Sequence, residues 1–349
     1  MIKYLTYFFS LLLLLSCDDN ENGKFKRLIS EYNLDEIKHF EHSYGQAIRM
    51  YVQNNIISIS NSPKFQIFQY NLDGQLIKTL TKPGGAPWES HALWHFSFSG
   101  NGSRYWVHDY DKQMLKCYDY KKDSMILYRK EITQGNVHLL DDNRFIIPRT
   151  DCINNKYFFS IYDIKNQKYV ADISLNDSLN IKSTIVNKRD LSMYLLSGGF
   201  SSYNMGDEIL YYMYNVGRFI IMNKKTLSFK IFKDVHNQPI PTAYLKNGIV
   251  HLSNKNSIIT LSGAIDNKYV YLLSPKDEPV NVKLRSADKF FIDVYEKHNG
   301  KYLKSINVPL LDDGVIPMRI AISEKRLIIS YDNQEIYIYN FDNSIVGKL

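Results

Sequence analysis

Several side chains that could bind a ligand lie close together in one polar stretch, where Trp88, Glu89 and His91 are followed by Trp94 and His95. An indole ring offers a rigid apolar face for stacking, and imidazole and carboxylate groups supply directional hydrogen bonds. The stretch connects two β-rich runs, and binding residues are concentrated in long connections of this kind. We therefore predict that Trp88, Glu89 and His91 belong to a ligand-binding loop. The alternative is that Trp94 only packs between structural units.

Acidic or amide side chains also end the second β-rich run of a repeated unit, at Asn61, Asp109 and Asp332. Looser copies of the unit place Asp151 and Asn215 at the same position. Antiparallel neighbours reverse direction at each turn, so these ends and the long connection are expected on one face, around the entrance of a central channel. We predict ligand-binding candidates there. The alternative is that each side chain caps its own turn by accepting backbone N–H groups.

A metal site is a second hypothesis for the same residues. A divalent cation held by Asp109, Asp332 and His91 would make the protein a metal-dependent hydrolase or lyase. Calcium requires roughly six or more oxygen ligands, and the channel entrance as a whole supplies only two or three carboxylates with amides. The sequence contains no Gly-x-Ser-x-Gly, His-Glu-x-x-His or Cys-x-x-Cys motif and no phosphate-binding glycine loop. The first hypothesis is therefore a non-catalytic binding module without a cofactor.

The element that must position these residues is a repeat of four short strands. Its clearest copy runs from Phe96 to Tyr128 and contains an Asn-Gly hairpin at Asn101, since both central residues of such a turn must tolerate positive φ. The residue that ends the second strand is followed ten positions later by an acid or amide that ends the third, in the pairs Asn61 and Asn71, Asp109 and Asp119, and Asp332 and Asp342. With three looser copies, the repeat predicts six units.

Six such units predict an all-β, six-bladed β-propeller with four-stranded antiparallel blades. No stretch of helical length has an apolar period of 3.6 residues, so almost no helix is expected beyond the N-terminal leader. The segment from Leu28 to Phe40 precedes the first full blade, and the last blade has room for only a short fourth strand. We predict that an N-terminal strand joins the last blade and closes the ring, because this leaves no open edge.

The phrase Tyr105-Trp106-Val107-His108-Asp109 followed by Leu115-Lys116-Cys117-Tyr118-Asp119-Tyr120 resembles the blades of TolB-like and NHL-like six-bladed propeller lipoproteins of bacteria. The resemblance covers the chain from about Phe40 to its end. Members of that group often carry Gly-Pro-Gly-Glu before the second blade, and residues 82–89 match it only in part, with the order of Gly and Pro changed. The group is mostly without assigned activity, so the resemblance implies a fold and an envelope location.

The N terminus has the pattern of a lipoprotein leader. Lys3 precedes an apolar run from Tyr4 to Leu15, which is shorter than the roughly 20 helical residues that span a bilayer. The ending Leu-Leu-Ser-Cys is similar to a bacterial lipobox, in which Cys17 becomes the lipidated first residue. We predict a signal peptide at 1–16, a flexible tether at 17–27 and the propeller at 28–349. An ordinary secretory peptide is the alternative.

Charge and compartment limit the partners. The formal net charge of +7 is small for 349 residues and no basic run is present, so nucleic acid is not indicated. We predict a monomer in the cell envelope, at the outer membrane or cell surface, whose partner is a glycan, a peptide or an envelope protein. The alternative location is the inner membrane, because Asp18 after the lipidated cysteine resembles a retention signal of other bacterial lineages. A structural subunit of an envelope assembly is a third hypothesis, and it would present a large apolar surface patch.

Two further features concern covalent chemistry. An exported protein can form disulfides, but spacing does not show that Cys117 and Cys152 meet, so we favour two free thiols. Asp123-Ser124-Met125 and Asp177-Ser178-Leu179 resemble the acceptor of bacterial O-glycosylation. Ser124 and Ser178 are therefore predicted modification sites in loops, with chance tripeptides as the alternative.

Overall fold

The described part of the chain consists of six four-stranded antiparallel sheets and two small hairpins. The structure is a computed structural model, and it describes residues 27–42, 44–45, 47–61, 65–99, 102–109, 111–130, 136–151, 156–179, 185–186, 189–190, 195–203, 206–236, 240–253, 259–275, 287, 289–311 and 314–342. Each four-stranded sheet is one blade. Its inner strand is the first in chain order, except in blade 6, where the inner strand is β26 and the N-terminal strand β1 is the outer one.

The first three blades follow one another without interruption of the pattern. Blade 1 consists of β2 (Ala47–Gln53), β3 (Ile56–Asn61), β4 (Ile67–Tyr70) and β5 (Leu76–Leu80). Blade 2 consists of β6 (Leu93–Phe98), β7 (Arg104–Asp109), β8 (Met114–Asp119) and β9 (Ser124–Lys130). Blade 3 consists of β10 (His138–Asp141), β11 (Arg144–Asp151), β12 (Lys156–Asp163) and β13 (Lys168–Ser174).

Longer connections separate blade 4 from the blades on either side of it. Blade 4 consists of β16 (Gly198–Ser202), β17 (Glu208–Met213), β18 (Arg218–Asn223) and β19 (Phe229–Lys233). Blade 5 consists of β22 (Ser262–Ile265), β23 (Tyr269–Pro275), β24 (Phe290–Glu296) and β25 (Tyr302–Val308). Blade 6 consists of β26 (Pro317–Ser323), β27 (Arg326–Tyr331), β28 (Glu335–Asn340) and β1 (Asp35–Glu41).

The connections before and after blade 4 carry the remaining elements. The first contains the helical turn α1 (Asn176–Leu179) and the hairpin of β14 (Ile185–Val186) and β15 (Arg189–Asp190). The second contains the hairpin of β20 (Ala243–Lys246) and β21 (Ile249–Leu252). The near absence of helix is as predicted, and within the described ranges no helix is long and apolar enough to cross a membrane.

Buried side chains between neighbouring blades hold the ring together. The described residues form six apolar clusters, one at each interface between adjacent blades, and each cluster combines strands of both blades. Between blades 2 and 3, for example, Trp106 packs edge-on against Phe145, with ring centroids 5.0 Å apart. Burial of large apolar side chains stabilises each interface by roughly 1.5–3 kcal/mol per residue. The predicted six-bladed propeller is confirmed.

An N-terminal strand closes the ring, as the sequence predicted. β1 pairs antiparallel with β28, from Asp35 opposite Asn340 to Glu41 opposite Glu335. Most of β1 is exposed, but the partly buried Phe40 lies with its ring 5.1 Å from the ring of Tyr70 in blade 1. The same ring covers Gly74, whose φ of 79° and lack of a Cβ allow this approach. The first strand therefore joins the last blade to the first.

The segment before β1 is docked on blade 5. The Arg27 guanidinium donates to both carboxylate oxygens of Asp293, at 3.0 and 3.2 Å, and the Asp293 side chain is almost wholly buried. Ile29 then forms a parallel bridge with Ser305 at the outer edge of that blade. The sequence predicts that the flexible tether ends at residue 27, and the structure shows that Arg27 itself is bound to Asp293. A charged side chain that finds a buried partner explains the difference, which composition does not reveal.

A tyrosine marks the repeat more consistently than any other residue. A buried Tyr followed by an acid or amide stands at the end of the third strand in five blades, at Tyr70, Tyr118, Tyr162, Tyr295 and Tyr339. In all five of these blades the register shifts beside the tyrosine, which indicates a β-bulge. The following side chain caps the turn, as when Asp119 Oδ1 accepts the N–H groups of Lys121 and Lys122 at 2.9 Å each.

Candidate functional site

The two faces of the ring carry different connections. One face, here called the connection face, carries the turns from the second to the third strand and the long connections between blades. The other, here called the turn face, carries the turns from the first to the second strand and from the third to the fourth. Because neighbouring strands are antiparallel throughout, each kind of turn stays on its own face. The predicted binding residues fall on the connection face.

The loop of residues 82–90 holds Trp88 out in solvent. The Trp88 side chain is 57% exposed. The loop is folded on itself, since Ser90 N donates to Lys82 O at 2.8 Å and Gly84 N donates to Ser90 O at 3.1 Å. The Glu89 carboxylate accepts the Ala86 N–H at 2.8 Å. Trp88 is therefore accessible as predicted, whereas Glu89 supports the loop from within.

Two lysines of blade 2 hold this loop from below. Lys112 Nζ donates to the carbonyl oxygens of Gly84, Ala86 and Glu89, at 3.2, 2.7 and 3.0 Å. Lys116 Nζ also donates to Glu89 O. Charge-assisted hydrogen bonds of this kind are stronger than neutral ones. The backbone that carries Trp88 is thus fixed before any ligand arrives, which lowers the entropic cost of binding.

Asp109 has a structural role beneath the same loop. Its carboxylate accepts Lys116 Nζ at 2.7 Å, and both side chains are fully buried. It also accepts the backbone N–H groups of His91 at 3.1 Å and Ala92 at 3.3 Å. Burial opposes ionisation, but these hydrogen bonds outweigh it and hold the pKa of Asp109 below its usual value. A ligand on the surface does not reach this group.

Asn61 and Asp332 occupy equivalent positions and act similarly. Asn61 is buried, and its Nδ2 donates to Tyr44 O in the segment before β2. Asp332 Oδ1 accepts the N–H of Ile316, just before β26, at 3.0 Å. In three blades the side chain after the second strand therefore binds the backbone that enters the first strand of the same blade. This role is structural, like the alternative considered above, but the bound backbone belongs to the segment that enters the blade and not to the residue's own turn. Trp88 and His91 are the accessible members of the predicted set.

The structure does not assemble the metal site considered for His91, Asp109 and Asp332. His91 is exposed and lies 2.9 Å from the carboxylate of Asp111 through its Nδ1 atom, while Asp109 is bound by Lys116. No group of three or more His, Cys, Asp or Glu side chains suited to a metal ion occurs among the residues that the structure describes. His95, from the same stretch, is buried in inner strand β6. The side chain of Trp94 lies outside the described part.

The residues considered for covalent chemistry are placed as follows. Cys17 and Cys152 lie outside the described residues, and Cys117 is a buried free thiol. Burial raises the pKa of Cys117 to about 11, so it is unreactive near neutral pH. Ser124 is exposed at the first position of β9, and Ser178 is exposed in α1. Neither serine is in a loop as predicted, because β9 and α1 begin at or before them.

A cavity of about 600 Å³ opens on the turn face, opposite Trp88. Its inner wall contains Tyr51, Phe98 and His138, which belong to the inner strands of blades 1, 2 and 3. Its rim contains charged residues of the turns in blades 3 and 4: Asp141, Asp142, Arg144, Asp207, Lys224 and Lys225. A volume of this size lies within the roughly 300–1,000 Å³ of small-molecule sites. The cavity is therefore large enough for a side chain or short segment of a partner.

Charge pairs organise the rim of this cavity. Arg144 Nε donates to Asp141 Oδ2 at 2.7 Å, and Arg144 Nη2 reaches across to Lys224 O of the next blade at 3.1 Å. Lys225 Nζ lies 2.9 Å from Asp207 Oδ2 in an exposed pair. Burial lowers the pKa of Lys224 below its usual value, while Asp207 and Asp141 act in the opposite direction. The rim thus presents both charge signs at fixed positions.

The inner wall is neutral and aromatic. The imidazole of His138 stacks on Phe200, with ring centroids 5.3 Å apart. Burial lowers the pKa of His138 to about 3, so this ring is uncharged at neutral pH. The rings of Tyr51 and Phe98 stack at 6.3 Å. A polar rim around an apolar wall is the composition typical of ligand pockets.

Sequence reasoning placed the site on one face and did not anticipate this cavity. Asp141 to Asn143 and Lys224 to Lys225 look like ordinary polar turns in the sequence. The order of strands and turns was the available signal. It predicts that these turns lie on one face, because the turns after the first and third strands of neighbouring blades must share a face. What the sequence does not show is that the turns of blades 3 and 4 leave room between them.

Comparison with known proteins supports the fold alone. The sequence matches no protein-family model and no curated protein. A crystal structure of a member of the DUF4221 family from Bacteroides vulgatus has a TM-score of 0.59 and 12% identity, with 91% of this chain and 99% of that chain covered. The structure of U3-55K has a TM-score of 0.52 and 8% identity, covering 88% of this chain and 100% of the other. The crystal structure of the RRP9 WD40 repeats has a TM-score of 0.51 and 8% identity, with 91% of this chain and 99% of that chain covered.

Proposed function

We propose that this protein is a non-catalytic binding module of the bacterial cell envelope, attached to a membrane through lipid on Cys17. The observation that carries the binding role is the turn-face cavity, where a neutral aromatic wall lies inside a rim of fixed charges. A fold does not by itself imply a function, so the proposal depends on this site. Relationship to the TolB-like or NHL-like lipoproteins is part of the proposal and is supported by the blade phrase and by the six-bladed ring.

The chemistry of the cavity favours a peptide segment of a partner protein. Asp141, Asp142 and Asp207 offer acceptors, while Lys224 and Lys225 offer donors, within one opening. A peptide backbone presents both donors and acceptors, and its side chains carry either charge. Aromatic walls contribute contact area at low entropic cost. Trp88 on the connection face is a second contact point for a glycan or a separate partner.

Binding arrays test the proposed site. The chain without residues 1–16 and with Cys17→Ser is applied to peptide and glycan arrays, and the best ligand is then titrated. We expect Lys224→Met and Asp142→Asn each to weaken peptide binding roughly tenfold or more, about 1.4 kcal/mol. Lys230→Met removes a similar charge outside the cavity and should bind like the unaltered chain. Binding that survives both cavity substitutions would contradict the proposed site.

A substitution on the other face separates the two surfaces. Trp88→Ala should leave peptide binding at the cavity unchanged and should leave folding nearly unchanged, since the indole is exposed. If the ligand instead binds at the connection face, this substitution costs at least ~1–2 kcal/mol of binding free energy. The outcome identifies which face is used.

Fatty-acid labelling tests the membrane attachment. Cys17 carries the only thiol in the leader ending Leu-Leu-Ser-Cys, so Cys17→Ala should give an uncleaved or soluble protein without lipid. Cells grown with a labelled fatty acid are compared for the two forms. Label that is still incorporated by the variant would remove the lipoprotein part of the proposal and leave the binding role untouched.

A further inference from the structure

The centre of the ring carries basic side chains at equivalent positions of three blades. Arg49, His95 and Arg319 each follow a register shift in the inner strand and lie opposite the second-to-last residue of the second-strand segment. Arg49 Nε lies 3.3 Å from His95 Nδ1, and Arg49 Nη2 donates to Asn136 Oδ1 at 3.2 Å. The same bulge therefore directs a basic group of blades 1, 2 and 6 to one level of the channel.

Both arginines line one small cavity. It has a volume of about 40 Å³, and Arg49 and Arg319 line it together with Ser201, Ser202 and Tyr212. None of the described residues that line it is acidic. A cavity needs roughly 10–15 Å³ to hold one water-sized species. The space therefore accommodates a small ion with one or two waters and excludes a metabolite.

One hydrogen bond separates this cavity from the turn face. Tyr51 Oη and Ser202 Oγ are 3.1 Å apart, although they belong to the inner strands of blades 1 and 4. Both residues line the small cavity and also the turn-face cavity. The contact therefore lies where the two spaces adjoin.

The arginines form a fixed positive wall. Arg319 Nη1 donates to Met318 O at 2.7 Å and to Leu261 O at 3.1 Å, which orients its guanidinium in the channel. Burial lowers the pKa of Arg319, and the charge of Arg49 lowers it further. Two cations in a medium of low dielectric constant repel, and an anion between them removes this repulsion. Guanidinium groups are well suited to the task because they present several N–H donors in one plane.

We propose that the channel binds one small monovalent anion, such as a halide, between Arg49 and Arg319. The site is separate from the proposed peptide cavity and would exist whether or not that cavity has a ligand. Its charge comes from blades 1 and 6, which are the blades that β1 joins. An ion at this point therefore stabilises the ring at its closure.

Bromide diffraction tests the site directly. Crystals of the unaltered chain soaked in bromide should show an anomalous peak in the channel between the guanidinium groups of Arg49 and Arg319. Because this measurement uses the unaltered protein, it does not depend on a variant that folds. Absence of bromide from the channel, with bromide bound elsewhere on the protein, would overturn the proposal.

Thermal unfolding supplies the second test. At constant ionic strength, replacing gluconate by chloride at about ten times its dissociation constant should raise the Tm by roughly 2–3 °C. Arg319→Gln should abolish this rise, and the exposed control Arg104→Gln should retain it. A rise of the same size in Arg319→Gln would show that chloride acts elsewhere and would contradict the channel site.

Discussion

At the scale of single residues, the buried pair of Asp109 and Lys116 shows how a chemically suggestive residue can be structural. Both groups are buried and form hydrogen bonds with the backbone of the loop that carries Trp88 or of the residues just after it. From the sequence, Asp109 is as plausible a ligand as any exposed carboxylate, because burial is not encoded locally. The neighbour that decides its role lies seven residues away, on the adjacent strand.

Loss of this pair should be costly. Asp109→Asn leaves the Lys116 ammonium buried without its counter-charge, and breaking a buried pair in this way costs about 3–5 kcal/mol. Urea unfolding should show a decrease of that order. Asp111→Asn is the matched control, because its exposed pair with His91 contributes about 0–1 kcal/mol. Equal effects of the two substitutions would refute the structural role of Asp109.

The acid sensitivity of the fold should come in part from His42. Burial lowers the pKa of this imidazole to about 4, and its Nδ1 atom lies 2.7 Å from the Tyr70 hydroxyl. The unfolded chain gains a proton near pH 6.5, whereas the folded chain gains it near pH 4, so stability is lost as the pH falls through this window. This loss amounts to about 2 kcal/mol between pH 7 and pH 5.

Variants isolate the contribution of His42. The difference in unfolding free energy between pH 7 and pH 5 should shrink by that amount in His42→Phe, which keeps an aromatic ring beside Phe68. His39→Asn should leave the difference unchanged, since His39 is exposed. An unchanged difference in His42→Phe would mean that His42 has no such shift.

At the scale of elements, most strands were predictable and their marking residue was not. The second strands of blades 1, 2 and 3 end where the sequence placed them, at Asn61, Asp109 and Asp151, and that of blade 6 ends one residue before Asp332. In blade 4 the strand ends at Met213, two residues before the predicted Asn215. The ten-residue interval predicted these strand ends because the turn after each strand needs a side chain that caps it. The buried tyrosine near the end of the third strand marks the blades better. It occurs there because it packs beside a β-bulge, and the two-residue alternation of a strand does not predict where a bulge lies.

The contribution of β1 can be measured through one side chain. Phe40→Ala should reduce the unfolding free energy by about 2–3 kcal/mol, slightly less than for a fully buried Phe, because its ring packs on Tyr70 and Gly74. Ile37→Ala on the same strand is the control and should change little, since Ile37 is 47% exposed. If Phe40→Ala is also neutral, the strand is held by its backbone alone.

At the scale of the molecule, the two faces divide what the sequence could and could not predict. Antiparallel order was enough to assign Trp88 and the ends of the second strands to one face. The turn-face cavity is lined by residues of blades 1 to 4, which are distant in the sequence and meet only in the closed ring. The docking of Arg27 on blade 5 likewise joins residues 266 positions apart.

This docking should control the mobility of the N-terminal segment. In Arg27→Met the Asp293 carboxylate loses its counter-charge, and the paired amides of Ser30 and Ser305 should open more often. Hydrogen exchange of these amides should accelerate at least roughly tenfold, which corresponds to about 1.4 kcal/mol. Arg326→Met removes a guanidinium whose Nη1 contact to Asn340 is 3.3 Å, and should leave them unchanged. Unaltered exchange in Arg27→Met would show that backbone pairing suffices.

The pairing of β1 with β28 also sets the order in which the protein can be completed. Asp35 and Asn340 lie at opposite ends of the described chain, and they are direct partners. During synthesis β1 is therefore made long before its partner β28, and the edge of β1 stays unpaired until β28 is available. Contacts between such distant residues form slowly. Under the export proposed above, the ring cannot close before the final blade has also crossed the membrane.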